Sequence, residues 1–265
     1  MIEDNIQQRT LSIRVSTNGF CFCSYIPSQP QSLQYFFFEP ETDTTIAANL
    51  AKAIEECPFG TKGCNIKAII ETNEYTTLPA EFDNKEDYKL YYRYCFPNSN
   101  SAIEILSNRL NAHSLTIIFP VEKATYETLQ QLGDVTYYTP ISILAGYLSR
   151  CPLPEEKYLL AYVNGDYSAL LPINNGMAGT SNMFKSNDCC NTLFYLLSTW
   201  KAQGFSQTED TLYLCGDKGI EGLQPECARF IKNIKRLNPN ALFNPTLLNR
   251  LKDIPFDLQA LILCE

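Results

Sequence analysis

The strongest constraint on this chain is a stretch that occurs twice. Leu11 to Pro27, LSIRVSTNGFCFCSYIP, and Lys157 to Asn174, KYLLAYVNGDYSALLPIN, share one build: a strand, an Asn-Gly turn and a second strand. Asn18-Gly19 and Asn164-Gly165 predict tight hairpins in which both turn residues take positive φ, the backbone that best joins two right-twisted strands. Each hairpin opens a run of similar content, so the sequence predicts a duplicated α/β unit.

In the first half, residues 1–10 read as a loose arm. QYFFF at Gln34 to Phe38 supplies a third antiparallel strand whose continuous apolar character implies burial on both faces. Thr44 to Cys57 places Ile46, Leu50, Ala53 and Ile54 at helical spacing, with Thr44 or Thr45 as the cap. Asn65 to Glu71 and Thr76 to Leu78 read as strands. Lys85 to Phe96, KEDYKLYYRYCF, is a helix whose Tyr88, Tyr91, Tyr92, Tyr94 and Phe96 cannot all face one core. It is either wedged between two layers or exposed as an interaction surface. A strand from His113 to Val121, a helix from Glu122 to Leu132, a strand from Asp134 to Tyr138 and a helix from Pro140 to Leu148 complete the half.

Pro152 and Pro154 then break the chain. The expected division is a lobe over 1–153, with an inserted region at about 79–112, and a lobe over 154–265. The second lobe repeats the opening, with a turn at Asn174-Asn175-Gly176 and a third strand from Ala178 to Phe184. Ser186 and Asp188 are placed to cap a helix from Cys189 to Ala202 that carries Leu193, Leu196, Leu197 and Trp200 on one face. Thr211 to Cys215 is a strand, Gly216-Asp217-Lys218-Gly219 a loop, Leu223 to Leu237 a helix and Ile254 to Leu263 the last helix. The order is βββαβα twice.

Charge and cysteine content narrow the function. A net charge of -8 over 265 residues argues against binding to a phosphate backbone, and Lys232, Lys235 and Arg236 read as a solvated helix face. MIEDNIQQRT lacks the apolar core of a secretory signal, and no run reaches the ~18 apolar residues of a membrane span, so the chain is expected in the cytoplasm. Eleven cysteines are an odd number, spaced neither as a disulfide framework nor as zinc ligands. Cys21, Cys23, Cys189 and Cys190 read as small buried apolar side chains, with redox or metal chemistry as the other reading. His113, the one histidine, begins an apolar strand and reads as structural. No GxxxxGK[ST] or GxGxxG phosphate loop is present.

Two βββαβα units joined by a short linker resemble the actin-like ATPase fold, a pair of ribonuclease-H-like units, found in actin, Hsp70 and sugar kinases. The second half is most similar to the actin-like proteins of bacterial pilus assembly. The chain as a whole resembles a bacterial family of domain-of-unknown-function proteins with this fold. In active members an Asp near the end of each first strand holds Mg²⁺ or its waters, and a following Gly admits backbone N–H groups to phosphate. Here IRVSTNG puts Arg14 at the Asp position and Ser16 at the Gly position, and AYVNG puts Tyr162 and Asn164 at the matching places. Arg14 would repel Mg²⁺, though it could pair with an anion. Asp166, just past the second turn, reads as turn chemistry with a ligand role as the alternative. LYLCGDKGIEGL at Leu212 to Leu223 resembles the family's adenosine loop, which makes Gly216, Asp217, Lys218 and Gly219 the candidate nucleotide contacts.

With both Asp positions replaced, the expectation is a non-catalytic, pseudo-ATPase protein that binds or scaffolds a protein or peptide, with no catalytic residues and no metal ligands. The alternative is a divergent ATP-binding ATPase or kinase using Mg²⁺ and the Gly216 loop. Neither nucleic acid nor membrane insertion is expected.

Overall fold

The computed structural model describes residues 8–99, 102–164, 167–185, 188–237 and 254–263. β1 (Thr10–Ser16), β2 (Gly19–Ile26) and β3 (Gln29–Phe38) form an antiparallel meander. Ser16 pairs with Gly19, so the turn residues are Thr17 and Asn18, one place earlier than the Asn-Gly reading, and neither has positive φ. The Ser16 hydroxyl decides this: it donates to the Gly19 carbonyl at 2.9 Å and accepts the Asn18 N–H at 3.2 Å, closing the loop from a side chain. Gly19 itself takes φ +144 beneath the Phe37 ring, where a Cβ would have no room.

The second hairpin shifts by one place in the opposite direction. Asn164 pairs with Tyr167 and ends β9 (Lys157–Asn164), facing β10 (Tyr167–Asn174); its turn residues, Gly165 and Asp166, lie outside the described residues. Among the described residues the Asn-Gly pair with positive φ at both positions is Asn175-Gly176, at +50° and +73°, leading into β11 (Met177–Ala178). The expected third strand is split into β11 and β12 (Asn182–Lys185), both on β10. Pro172 of β10 causes the break. Its carbonyl accepts from Gly179 N–H on the side where its own nitrogen has no hydrogen to give.

Both sheets have the same order. The first runs β3-β2-β1-β4-β8, with β4 (Asn65–Ile70) and β8 (Val135–Tyr138) parallel to β1. The second runs β11-β10-β9-β13-β14, with β13 (Thr211–Lys218) and β14 (Asn233–Arg236) parallel to β9. α1 (Ile46–Glu56), capped by Thr45, and α3 (Lys123–Gln130) pack together in the first half; α5 (Cys189–Ala202), capped by Asp188, and α6 (Ile220–Cys227) pack together in the second. α4 (Pro140–Arg150) and α7 (Phe256–Leu263) pack against each other.

Side-chain alternation along β9 ties the layers together. Leu159, Ala161 and Val163 face the cluster that holds Leu196, Trp200 and Leu223 of α5 and α6. Tyr158, Leu160 and Tyr162 point the other way, into a buried cluster that also takes in Phe22 and Ile69 of the first sheet, Leu144 of α4 and Leu258 of α7. The inserted region is a second surprise. β5 (Thr76–Pro79), β7 (Leu115–Glu122) and β6 (Ile103–Leu110) make a separate antiparallel sheet, with α2 (Tyr88–Cys95) packed on it. β6 escaped the sequence reading because its Ser107, Asn108 and Arg109 break the apolar pattern of a half-buried strand. Among the described residues no helix is long and apolar enough to cross a membrane.

The expected helix over Leu223 to Leu237 is corrected to α6 followed by β14. α6 starts earlier and ends at Cys227, and the turn through Phe230 and Ile231 bonds back to the Cys227 carbonyl. Lys235 and Arg236 therefore lie on an edge strand, where charge discourages pairing with other chains. Lys235 bonds Glu155 and lies 5.9 Å from the Tyr213 ring centroid.

Candidate functional site

The two first strands meet where the resemblance would put a cation. Arg14 is 5% exposed, and its Nε donates to both oxygens of the fully buried Asp257, at 3.1 and 2.8 Å. Its Nη2 donates to Glu71 Oε1 at 3.0 Å. Tyr162 donates its hydroxyl to the same Asp257 oxygen that Arg14 holds at 2.8 Å, and Asn164 donates its amide to the same Glu71 oxygen. Three of the four positions that the duplication singled out, Arg14, Tyr162 and Asn164, thus converge on two carboxylates. Ser16, the fourth, closes its own turn.

Elements far apart in the chain supply the parts. Arg14 sits near the end of β1, Glu71 follows β4, Tyr162 and Asn164 end β9, and Asp257 lies in the first turn of α7, where it also accepts Leu258 N–H at 2.8 Å. A carboxylate in that first turn is further favoured by the helix dipole. Burial opposes the Arg14 charge, but Asp257, Tyr162 and Glu71 more than offset it and hold the guanidinium pKa above its usual value. Burial pushes the Glu71 carboxyl up, and Arg14 counters this only in part. Among the described residues the cluster is an ion-pair network in which Glu71 also borders a cavity of about 150 Å³ bounded by Ser16, Thr17, Thr72 and Glu122.

These residues do not suit a Mg²⁺–nucleotide. A guanidinium occupies one cation position and a phenol the other, and the carboxylates beside them are already engaged by Arg14. Among the described residues, no cluster of three His, Cys, Asp or Glu side chains is arranged as a metal site. Asp166 lies outside the described residues, as does Ser186, and so do the side chains of Asp217 and Lys218.

Gly216 to Lys218 belong to β13 and not to a loop. Gly216 has φ +123, and a Cβ there would stand 1.9 Å from the Val163 carbonyl oxygen, so this glycine lets β13 close on β9 at a register irregularity. Gly219, at φ +86, starts α6. Both glycines serve the backbone whether or not a nucleotide is present.

The remaining sequence candidates are placed as follows. His113 lies in a 3₁₀ turn before β7, and is buried. Its Nδ1 accepts Ala178 N–H from β11 at 3.2 Å, so the neutral ring carries its hydrogen on Nε2, 2.9 Å from Ser149 Oγ. It bridges the two halves. Cys21 and Cys23 are buried, and burial pushes the Cys23 thiol well up, whereas Cys189 is half-buried and Cys190 is exposed, against the expectation for that pair. Helix α2 is divided: Tyr88 and Tyr92 are buried, while Leu90 is 66% and Tyr94 89% exposed.

Asp257 and Glu71 were not among the residues the sequence singled out. The available signal was a lone acid in the otherwise apolar run FDLQALIL and an acid ending NIKAIIE, since a buried charge needs a partner.

Comparison with known proteins bears on the fold. No curated protein matches the chain. A protein from Bacteroides thetaiotaomicron described as having an actin-like ATPase fold and unknown function is 27% identical, covers 100% of both chains and superposes with a TM-score of 0.82. A chain of the PilM–PilN type IV pilus biogenesis complex is 11% identical over 97% of each chain, with a TM-score of 0.60. The profile of a family described as protein of unknown function (DUF3822) matches residues 1–234. With that match over most of its length and the same strand order in two facing sheets, the chain has an actin-like ATPase fold and belongs to the DUF3822 family.

Proposed function

We propose that this protein is a non-catalytic member of the actin-like fold that works as a protein- or peptide-binding module in the cytoplasm. The observation that carries the reading is the Arg14–Asp257–Glu71 network: a positive side chain and two neutralised carboxylates stand where this chemistry needs free oxygen ligands. The partly exposed helix α2 gives such a module a surface. The PilM–PilN neighbour, similar in fold, is itself a complex of two proteins. The described cysteines form no disulfides, which suits a reducing compartment.

The competing reading is a divergent ATPase or kinase that contacts nucleotide through Gly216, Asp217, Lys218 and Gly219. Titration of the reduced protein with ATP and ADP, with and without Mg²⁺, followed by thermal shift and calorimetry, separates the two. A nucleotide at a hundredfold excess over its dissociation constant would add ~2.7 kcal/mol of stability. The expected outcome is an unchanged melting temperature at millimolar nucleotide. A Mg²⁺-dependent rise would overturn the non-catalytic reading.

A further inference from the structure

We propose that the groove beside α2 is a docking site for an acidic peptide segment of a partner protein. This rests on the protein-binding reading above and names the surface and the chemistry of the partner. The groove has a volume of about 240 Å³, a floor of the half-buried Phe96 and Ile103 laid over the buried Tyr92, and two cations, Lys89 and Arg93, on its wall. Tyr92 and Phe96 pack with ring centroids 5.1 Å apart, and the Tyr92 hydroxyl is held by Glu74, so the floor is fixed before a ligand arrives.

The charge at this place runs against the rest of the molecule. The chain carries a net charge of -8, yet among the described residues no carboxylate lines the groove. Lys89 and Arg93 are exposed and four residues apart on one face, and among the described residues neither forms an ion pair. Two such cations repel each other at this spacing, a cost that a bound carboxylate would remove.

The row beyond them on the helix is apolar, with Leu90 66% and Tyr94 89% exposed. A segment with carboxylates over Lys89 and Arg93 would bring its apolar side chains onto Phe96 and Ile103 on one side and the Leu90–Tyr94 row on the other. Aromatic anchors ringed by opposite charge are how short segments gain both affinity and specificity. Among macromolecular ligands a peptide fits this better than a nucleic acid. Two cations are too few to hold a phosphate backbone on so acidic a chain.

The test is selection of a phage-displayed random-peptide library on the full-length protein. Enriched sequences are then resynthesised with fluorescein and titrated by anisotropy, with fluorescein-labelled oligo-dT as the nucleic-acid probe. The expected result is enrichment of peptides that place Asp or Glu beside aromatic or Leu residues, with binding weakened by salt. Affinity should fall about tenfold or more in Lys89→Glu/Arg93→Glu, and fall in Tyr94→Ala. All three side chains are exposed, so the melting temperature should hold; single Lys89→Ala and Arg93→Ala variants serve if the double variant does not fold. Enrichment of neutral or basic peptides, no enrichment, or tighter binding of oligo-dT would each overturn the proposal. Acidic peptides that bind unaffected by the charge reversals would overturn this site while leaving the protein-binding reading intact, which the nucleotide titration tests separately.

Discussion

Arg14 shows how a single residue can change what a fold is suited to. A charged guanidinium on a buried strand is tolerated because two carboxylates accept from it and the field they set up outweighs the cost of burial. The pair is therefore costly to break and cheap to replace. Asp257→Leu leaves the Arg14 charge buried without its main partner and should destabilise the protein by about 3–5 kcal/mol in chemical denaturation. Arg14→Met added to Asp257→Leu should restore at least about 2 kcal/mol of that. A double variant as unstable as the single one would show that Arg14 is not held by this pair. The sequence made the loss of the Asp positions legible, since Arg14 and Tyr162 can be read directly from the two hairpins. It could not show that both reach the same carboxylate, because Asp257 lies far along the chain on a helix whose apolar pattern gives no register against β1 and β9.

At the scale of elements, most strands and helices followed from periodicity, and the misses share a cause. The two Asn-Gly turns shifted by one residue in opposite directions: in the first hairpin the Ser16 hydroxyl fixes the loop one place earlier, and in the second Asn164 stays in the strand pairing opposite Tyr167. The sequence reads β14 as helix because Asn233–Arg236 holds a single apolar residue, Ile234, and so shows no strand alternation. Only the parallel partner β13 decides it. Gly216 is the clearest case of an element-level constraint that resembles a ligand motif. Gly216→Ala would push a methyl group into the Val163 carbonyl at a φ that alanine resists, so it should cost more than about 2 kcal/mol. The loss would appear as a lower denaturation midpoint with no nucleotide present. A stable variant that had lost only nucleotide binding would assign the glycine to a ligand instead.

Across the whole molecule, the duplication places Arg14 and Glu71 from one half against Tyr162, Asn164 and Asp257 from the other, and His113 adds a second link through Ala178. A buried cluster runs through both sheets and the helices α4 and α7. The two halves should therefore unfold together. Fluorescence of Trp200, the single tryptophan, which is buried under the second sheet, should report the same midpoint as far-UV circular dichroism of the whole chain. Separate midpoints would mean that the halves are independently stable. The sequence by itself determined the repeated unit, the order of most elements and the absence of the expected carboxylates, because these depend on local pattern and residue identity. Tertiary structure alone decided that the replaced positions form one buried network, that Gly216 serves strand packing, and that α2 turns Leu90 and Tyr94 outward beside two cations. Each of these depends on which distant segments come within hydrogen-bonding or van der Waals reach, and local periodicity carries no information about that.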